Sequence, residues 1–154
     1  MNFDDSPHTR DFFVSADKTL LDVPFIATEL KRTYWGGWLT LPTVLKSIDH
    51  SLCFGLYHNV SPAPVQVGFA RVVTDYATFA WVCDVIVKKE LQRRGLGKFL
   101  MTAVMNHPDI RHRSCLLCTK DAQGLYRKFG FSEMVCMKRT GSSPDAHPHN
   151  PTRV

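Results

Sequence analysis

The sequence predicts one α+β domain in which a mixed, largely antiparallel sheet is flanked by about four helices. The middle of the chain holds three β-branched, apolar runs, "SLCFGLYH", "VQVGFARVVT" and "TFAWVCDVIV", separated by turn residues. Runs spaced so closely pair as hairpin neighbours, which predicts an antiparallel meander. Past Gly97 the period changes: Leu96, Phe99, Leu100, Ala103 and Val104 fall at i, i+3, i+4, i+7 and i+8, the stripe of a helix. A helix followed by another strand must cross back onto the same sheet. At 154 residues and 44% hydrophobic, the chain has material for a single core.

The elements follow in order. "DFFVSAD" (Asp11 to Asp17) is a short first strand. Asp22 then serves as an N-cap with Pro24 in the first turn, so "PFIATELKRTYW" begins a helix that "GGW" (Gly36 to Trp38) breaks. A second short helix covers Thr43 to Ile48, and the meander strands come next, the first turning in "NVSPAP". After the crossover helix, which "NHP" (Asn106 to Pro108) stops, "SCLLCT" is a strand and "AQGLYRKFG" a helix ended by Gly130. "FSEMVCMKR" returns as a last strand. Residues 140–154 contain three prolines and almost no apolar side chain, so the domain is expected to end at 139 and the rest to be a disordered tail.

Charge and cysteine content narrow the function. The 19 Lys and Arg exceed the 14 Asp and Glu by five, a balance that favours anionic partners. The start, "MNFDDSPHTR", lacks the basic and apolar pattern of a secretory signal, and no run reaches the roughly 18 apolar residues that span a bilayer. The expectation is a cytoplasmic protein without membrane contact, with the nucleus left open. Five cysteines, an odd number placed mainly in strand-like runs, argue against a disulfide framework. "CLLC" (Cys115 to Cys118) has no second CxxC, and residues three apart on a strand point to opposite faces, so no metal is expected there.

The stretch "QRRGLGKFL" (Gln92 to Leu100) sits where a strand turns into a helix. Such a turn leaves backbone amides aimed outward at the positive end of the helix dipole, a site for phosphate oxygens. Gly95 and Gly97 permit close approach, while Arg93, Arg94 and Lys98 add countercharge, so the turn is suited to a pyrophosphate. It lacks both the P-loop spacing and the third glycine of a dinucleotide fingerprint. The same glycines would also serve a plain tight turn.

Two motifs together carry a resemblance. Gln92-Arg93-Arg94-Gly95-Leu96-Gly97 after a strand, followed by Leu125-Tyr126 and Gly130-Phe131 in "DAQGLYRKFGF", resembles the GNAT superfamily of acetyl-CoA-dependent N-acetyltransferases. The resemblance implies a sheet splayed between strands 4 and 5, with acetyl-CoA as co-substrate and no metal. It also implies that the backbone of Val85, Ile86 and Val87 pairs with the pantetheine arm and that the amides of Arg93 to Lys98 cradle the pyrophosphate. Many relatives carry an Asn, binding the pantetheine, where this chain has Thr119.

Acyl transfer to an amine needs an acid for the leaving thiolate and an outlet for the amine's proton. By the resemblance Tyr126 is the acid; on the residues alone it could be a core tyrosine. Asp84 interrupts an apolar run, where a charge is costly without a purpose. It is either the base, directly or through water, or a structural carboxylate paired with Arg71. The resemblance implies that the acceptor enters against Tyr34, Trp35 and Trp38 of "TYWGGW", joined by Tyr76 from a hairpin turn; on the residues alone these aromatics could equally be ordinary packing around a Gly-Gly break. The expected function is therefore direct acetyl transfer in a ternary complex to the primary amine of a small molecule, amino acid or peptide, by a protein that could form a homodimer. The alternative is a catalytically silent CoA-binding or interaction module on the same fold. A nucleic-acid partner is disfavoured, because the basic residues gather at one turn with no reader motif.

Overall fold

The structure, a computed structural model, describes residues 9–139, so the expected tail at 140–154 lies outside the described residues. Strands β1 (Phe12–Ser15), β2 (Leu52–His58), β3 (Val65–Thr74), β4 (Phe79–Val87) and β5 (Ser114–Leu116) form one sheet in sequence order. Pairing is antiparallel from β1 through β4, and β5 joins β4 in parallel. This is the mixed, largely antiparallel sheet that the runs predict.

Helices α1 (Val23–Lys31), α2 (Leu41–Asp49), α3 (Leu96–Asn106) and α4 (Gln123–Tyr126) complete the fold. The start of α1 is capped as expected, with Asp22 Oδ1 accepting from the Phe25 amide at 3.0 Å. Thr40 caps α2 in the same manner. Gln66, buried in β3, anchors the start of α1 to the sheet: its Oε1 accepts from the Asp22 amide at 2.6 Å and its Nε2 donates to Gly68 O at 3.0 Å.

The central strands β2 and β3 are covered on both faces, which is why their sequences run apolar instead of alternating cleanly. One core joins Leu56, Val72 and Val82 to Leu96, Leu100 and Val104 of α3. The other joins Phe69 and Ile86 to Ile26 and Leu30 of α1 and Val44 and Ile48 of α2. The sheet thus lies between α3 on one face and the α1–α2 pair on the other. Among the described residues, no helix is long and apolar enough to cross a membrane.

Two irregularities open the sheet. Between Phe69↔Ile86 and Arg71↔Cys83, β3 advances two residues while β4 advances three, a bulge at Asp84 and Val85. Pairing of β4 with β5 covers only Phe79–Trp81 against Ser114–Leu116. Beyond Trp81 the two strands part, which is the splay between strands 4 and 5.

Two expected elements come out differently. "FSEMVCMKR" forms no strand: residues 131–139 are irregular, and Val135 and Met137 are each 96% exposed. Its strand-like composition is not enough, because a strand needs a paired edge and β5 offers only three residues. The helix of "AQGLYRKFG" is a single α-turn, α4, continued by a tighter 3-10 turn over Arg127–Phe129. Gly130, at φ 83°, ends it in the left-handed region as the sequence suggests.

The α1–α2 connection is set by close approach at Gly36. A Cβ there would collide with Leu30 O and lie 2.8 Å from Thr33 Oγ1, the hydroxyl that accepts from the Gly36 amide. Gly36→Ala is therefore expected to destabilise the protein by about 1–3 kcal/mol, the usual range for overpacking. Urea melts of the variant check this, with Gly37→Ala, whose Cβ comes no nearer than 3.8 Å, as the mild comparison.

Candidate active site

The bulge presents consecutive residues of β4 to one side. Asp84 adopts φ 54°, a left-handed conformation that Asp tolerates better than most residues. Its Oδ2 accepts from Arg71 Nε at 2.6 Å, and the same guanidinium reaches Ser51 Oγ at 3.1 Å. Both partners are largely shielded, with side-chain exposures of 18% for Arg71 and 9% for Asp84. The geometry shows the structural pairing that the sequence left open. Asp84 also lines a cavity, so the pairing does not remove it from the site.

That cavity, about 450 Å³, opens where β4 and β5 part. It brings together Tyr34, Trp35, Asp84, Val85, Thr119 and Tyr126, all singled out in the sequence from four separate stretches. It adjoins a larger cavity of about 590 Å³ between β5, α4 and residues 129–136, sharing Trp81, Leu117, Cys118, Thr119 and Tyr126 as common wall.

Tyr126 is half-buried, set edge-on to Phe131 with ring centres 6.0 Å apart. Burial pushes its phenol up to about 12, with Tyr34 and Asp121 adding to the shift. It therefore holds its proton throughout the physiological range and can donate it. Thr119 Oγ1 accepts from the Ala122 amide at 3.1 Å, so this hydroxyl shapes the turn into α4.

Next to the bulge, Gln92 Nε2 donates to Val87 O at 2.9 Å and closes the loop between β4 and α3. Arg93 at φ 62° and Gly95 at φ 81° are both left-handed and curl the turn, the geometry by which successive amides form an anion-accepting concavity. No side chain caps α3. A Cβ at Gly97 would meet nothing nearer than Leu125 Cδ2 at 3.7 Å. Arg93, Arg94 and Lys98 are exposed around the turn, whereas Leu96 is in the core and can offer only its backbone. Val85 and Val87 are half-buried and Ile86 is buried.

Two expected acceptor residues stand apart. Trp38 is 63% exposed and Tyr76 is 51% exposed, and neither lines the cavities. Tyr76 is held on the β3–β4 turn, where its carbonyl accepts from Arg113 at 3.0 Å. Trp81 and Lys120 line the cavity without having been singled out. The signal for Lys120 was its place in "CTKDAQG", directly after β5 and before α4. Cys115 is half-buried in β5 and Cys118 exposed beyond it; among the described residues no three metal-binding side chains gather.

Residues 49–133 match the family model described as an acetyltransferase (GNAT) domain. A Gibberella zeae protein assigned as an acetyltransferase is 30% identical over 138 residues, spanning 77% of each chain. A solved Xanthomonas campestris pv. campestris structure assigned to the GNAT family is 43% identical, with TM-score 0.77 over 84% of this chain and 93% of that one. A Mycobacterium tuberculosis structure solved in complex with CoA shares the fold at 20% identity, with TM-score 0.65 over 83% of this chain and 76% of that one.

Removing Arg71 would strand a shielded carboxylate at the bulge. Arg71→Ala is expected to lower unfolding stability by about 3 kcal/mol, as breaking a buried pair does. Chemical denaturation checks this, and Arg71→Ala combined with Asp84→Ala should recover part of the loss.

Proposed function

Because the chain belongs to the GNAT acetyltransferase domain family, we propose that it moves an acetyl group from acetyl-CoA to a primary amine by direct transfer in a ternary complex. The observation that carries this is the convergence of Tyr126, Asp84, Val85 and Thr119 on one cavity, in a chain whose β4 leads through a basic turn into the uncapped start of α3. Acetyl-CoA, when bound, supplies the activated thioester carbonyl.

The residues divide the work. Beyond Trp81, β4 has lost its β5 partner, so the backbone of Val85–Val87 can take an extended arm as an added strand. The amides of residues 93–98 receive the pyrophosphate, with Gly95 and Gly97 allowing approach and Arg93, Arg94 and Lys98 giving countercharge. Gln92 braces this loop, and Thr119 lines the cavity at the turn into α4. Tyr34 and Trp35 face the acceptor.

The acceptor's amine must lose a proton before or as it attacks. Arg71 occupies Oδ2 of Asp84, which leaves Oδ1, or a water held by it, as the accepting atom. Tyr126 donates toward the departing sulfur. An acyl-cysteine route through Cys83 is disfavoured, because burial pushes that thiol up to about 12 and leaves too little thiolate to act as a nucleophile.

The test is release of free CoA from acetyl-CoA across a panel of primary amines. CoA binding without release for any amine would favour a silent CoA-binding module. Gly97→Glu is expected to abolish CoA binding in calorimetry while the protein stays folded, because it adds a like charge where phosphates sit and the site tolerates a Cβ. Tyr126→Phe is expected to lower kcat on the order of 10² to 10⁴-fold with Tm and CoA affinity nearly unchanged, the range for loss of one general acid. Normal turnover in Tyr126→Phe would remove the phenol from the mechanism.

A further inference from the structure

The α1–α2 loop and the β5–α4 loop meet across the smaller cavity. The Lys120 amide donates to Tyr34 Oη at 3.1 Å, and Lys120 Nζ lies 5.1 Å from the centre of the Tyr34 ring. Trp35 packs edge-on with Tyr34, with ring centres 4.7 Å apart. The backbone contact brings the two loops together, and the ring holds the exposed Lys120 ammonium beside the cavity. Among the described residues Lys120 forms no ion pair, and a cation resting on an aromatic face still directs N–H donors away from it.

The cavity's other charged lining residues are Lys138, Asp84 and Asp121. Arg71 already balances Asp84. Asp121, next to Lys120 in sequence, lines the same cavity and brings a negative charge to it. The wall thus carries both signs of charge within one cavity, with the Lys120 ammonium at Tyr34. A simple amine would complement only the carboxylates, and an anion only the lysines.

Resting on the acetyl-transfer function above, we propose that the acceptor is a zwitterion, a free amino acid whose carboxylate binds Lys120 while its amine lies toward Asp121, Asp84 and Tyr126. Lys120 is then a specificity-determining residue, supported by Lys138, and Tyr34 is the platform that holds it. The cavity volume of about 450 Å³ is that of a small-molecule site. In the reaction the acceptor nitrogen bonds to the acetyl carbonyl carbon as the carbon–sulfur bond breaks. The nitrogen's proton leaves to Asp84 or water, the sulfur leaves as the thiolate that Tyr126 protonates, and the acceptor's carboxylate is unchanged.

The test compares L-amino acids with their carboxamides and their decarboxylated amines, measuring kcat and KM by CoA release for the wild type, Lys120→Gln and Lys120→Arg. The wild type is expected to prefer the amino acids by roughly tenfold in kcat/KM, the scale of one charge-assisted hydrogen bond. Lys120→Gln should erase that preference by raising KM for the amino acids alone, and Lys120→Arg should keep most of it. A purely structural lysine would shift all three acceptor classes together, and that result overturns the proposal. So does a wild type that uses carboxamides or simple amines equally well. A folded, CoA-binding wild type that acetylates no amine overturns acetyl transfer, and this inference with it.

Discussion

The ion pair of Arg71 with Asp84 is the constraint on which the open half of the sheet depends. A bulge in the middle of β4 needs a residue able to take a left-handed backbone, and Asp is among the few side chains that do so at modest cost. A carboxylate in such a place must have a partner. Arg71 supplies it from β3, and the same guanidinium reaches Ser51 at the start of β2, so one side chain ties together the edges of three successive strands. The bulge in turn presents Asp84 and Val85 together at the cavity instead of on opposite faces of a regular strand.

The two cores are unequal in what they support. The one under α1 and α2 fixes the loop that carries Tyr34 and Trp35, through the tight contact at Gly36. The one under α3 fixes the basic turn, because Leu96 is in the core directly beside the exposed Gly95. Tyr126 belongs to the margin of this second core, packed with Phe131 while still facing the cavity. Its burial both packs the ring and raises the phenol, so stability and proton retention come from one cause.

Much of this was legible in the sequence because it rests on local chemistry. Asp22 and Pro24 announce the start of α1, the apolar stripe from Leu96 announces α3, and Gly130 announces the end of the turn after α4. The order of strands followed from hairpin spacing. The bulge was not legible, since nothing in "WVCDVIV" marks an extra residue except Asp84 itself, and that carboxylate is equally consistent with a base. The missing last strand was not legible either: "FSEMVCMKR" has a strand's composition, and whether an edge exists for it depends on how far β4 and β5 stay together. For the candidate site, the motif residues and Tyr34, Trp35 and Asp84 could be named in advance. Lys120 could not, because its importance lies in a contact with a residue 86 positions away.

The short β4–β5 pairing also divides the molecule in time. From β2 to β4 each strand pairs with its neighbour in sequence over most of its length, whereas β5 is attached through three residues after the whole of α3 has intervened. Few ladder hydrogen bonds stand between the closed arrangement and one in which β5 and α4 swing away from β4. Sub-global opening of that kind draws on the least stable part of a fold. Hydrogen exchange should therefore be fast in β5 and α4 and slow in β2 and β3, so the cleft breathes without the meander unfolding.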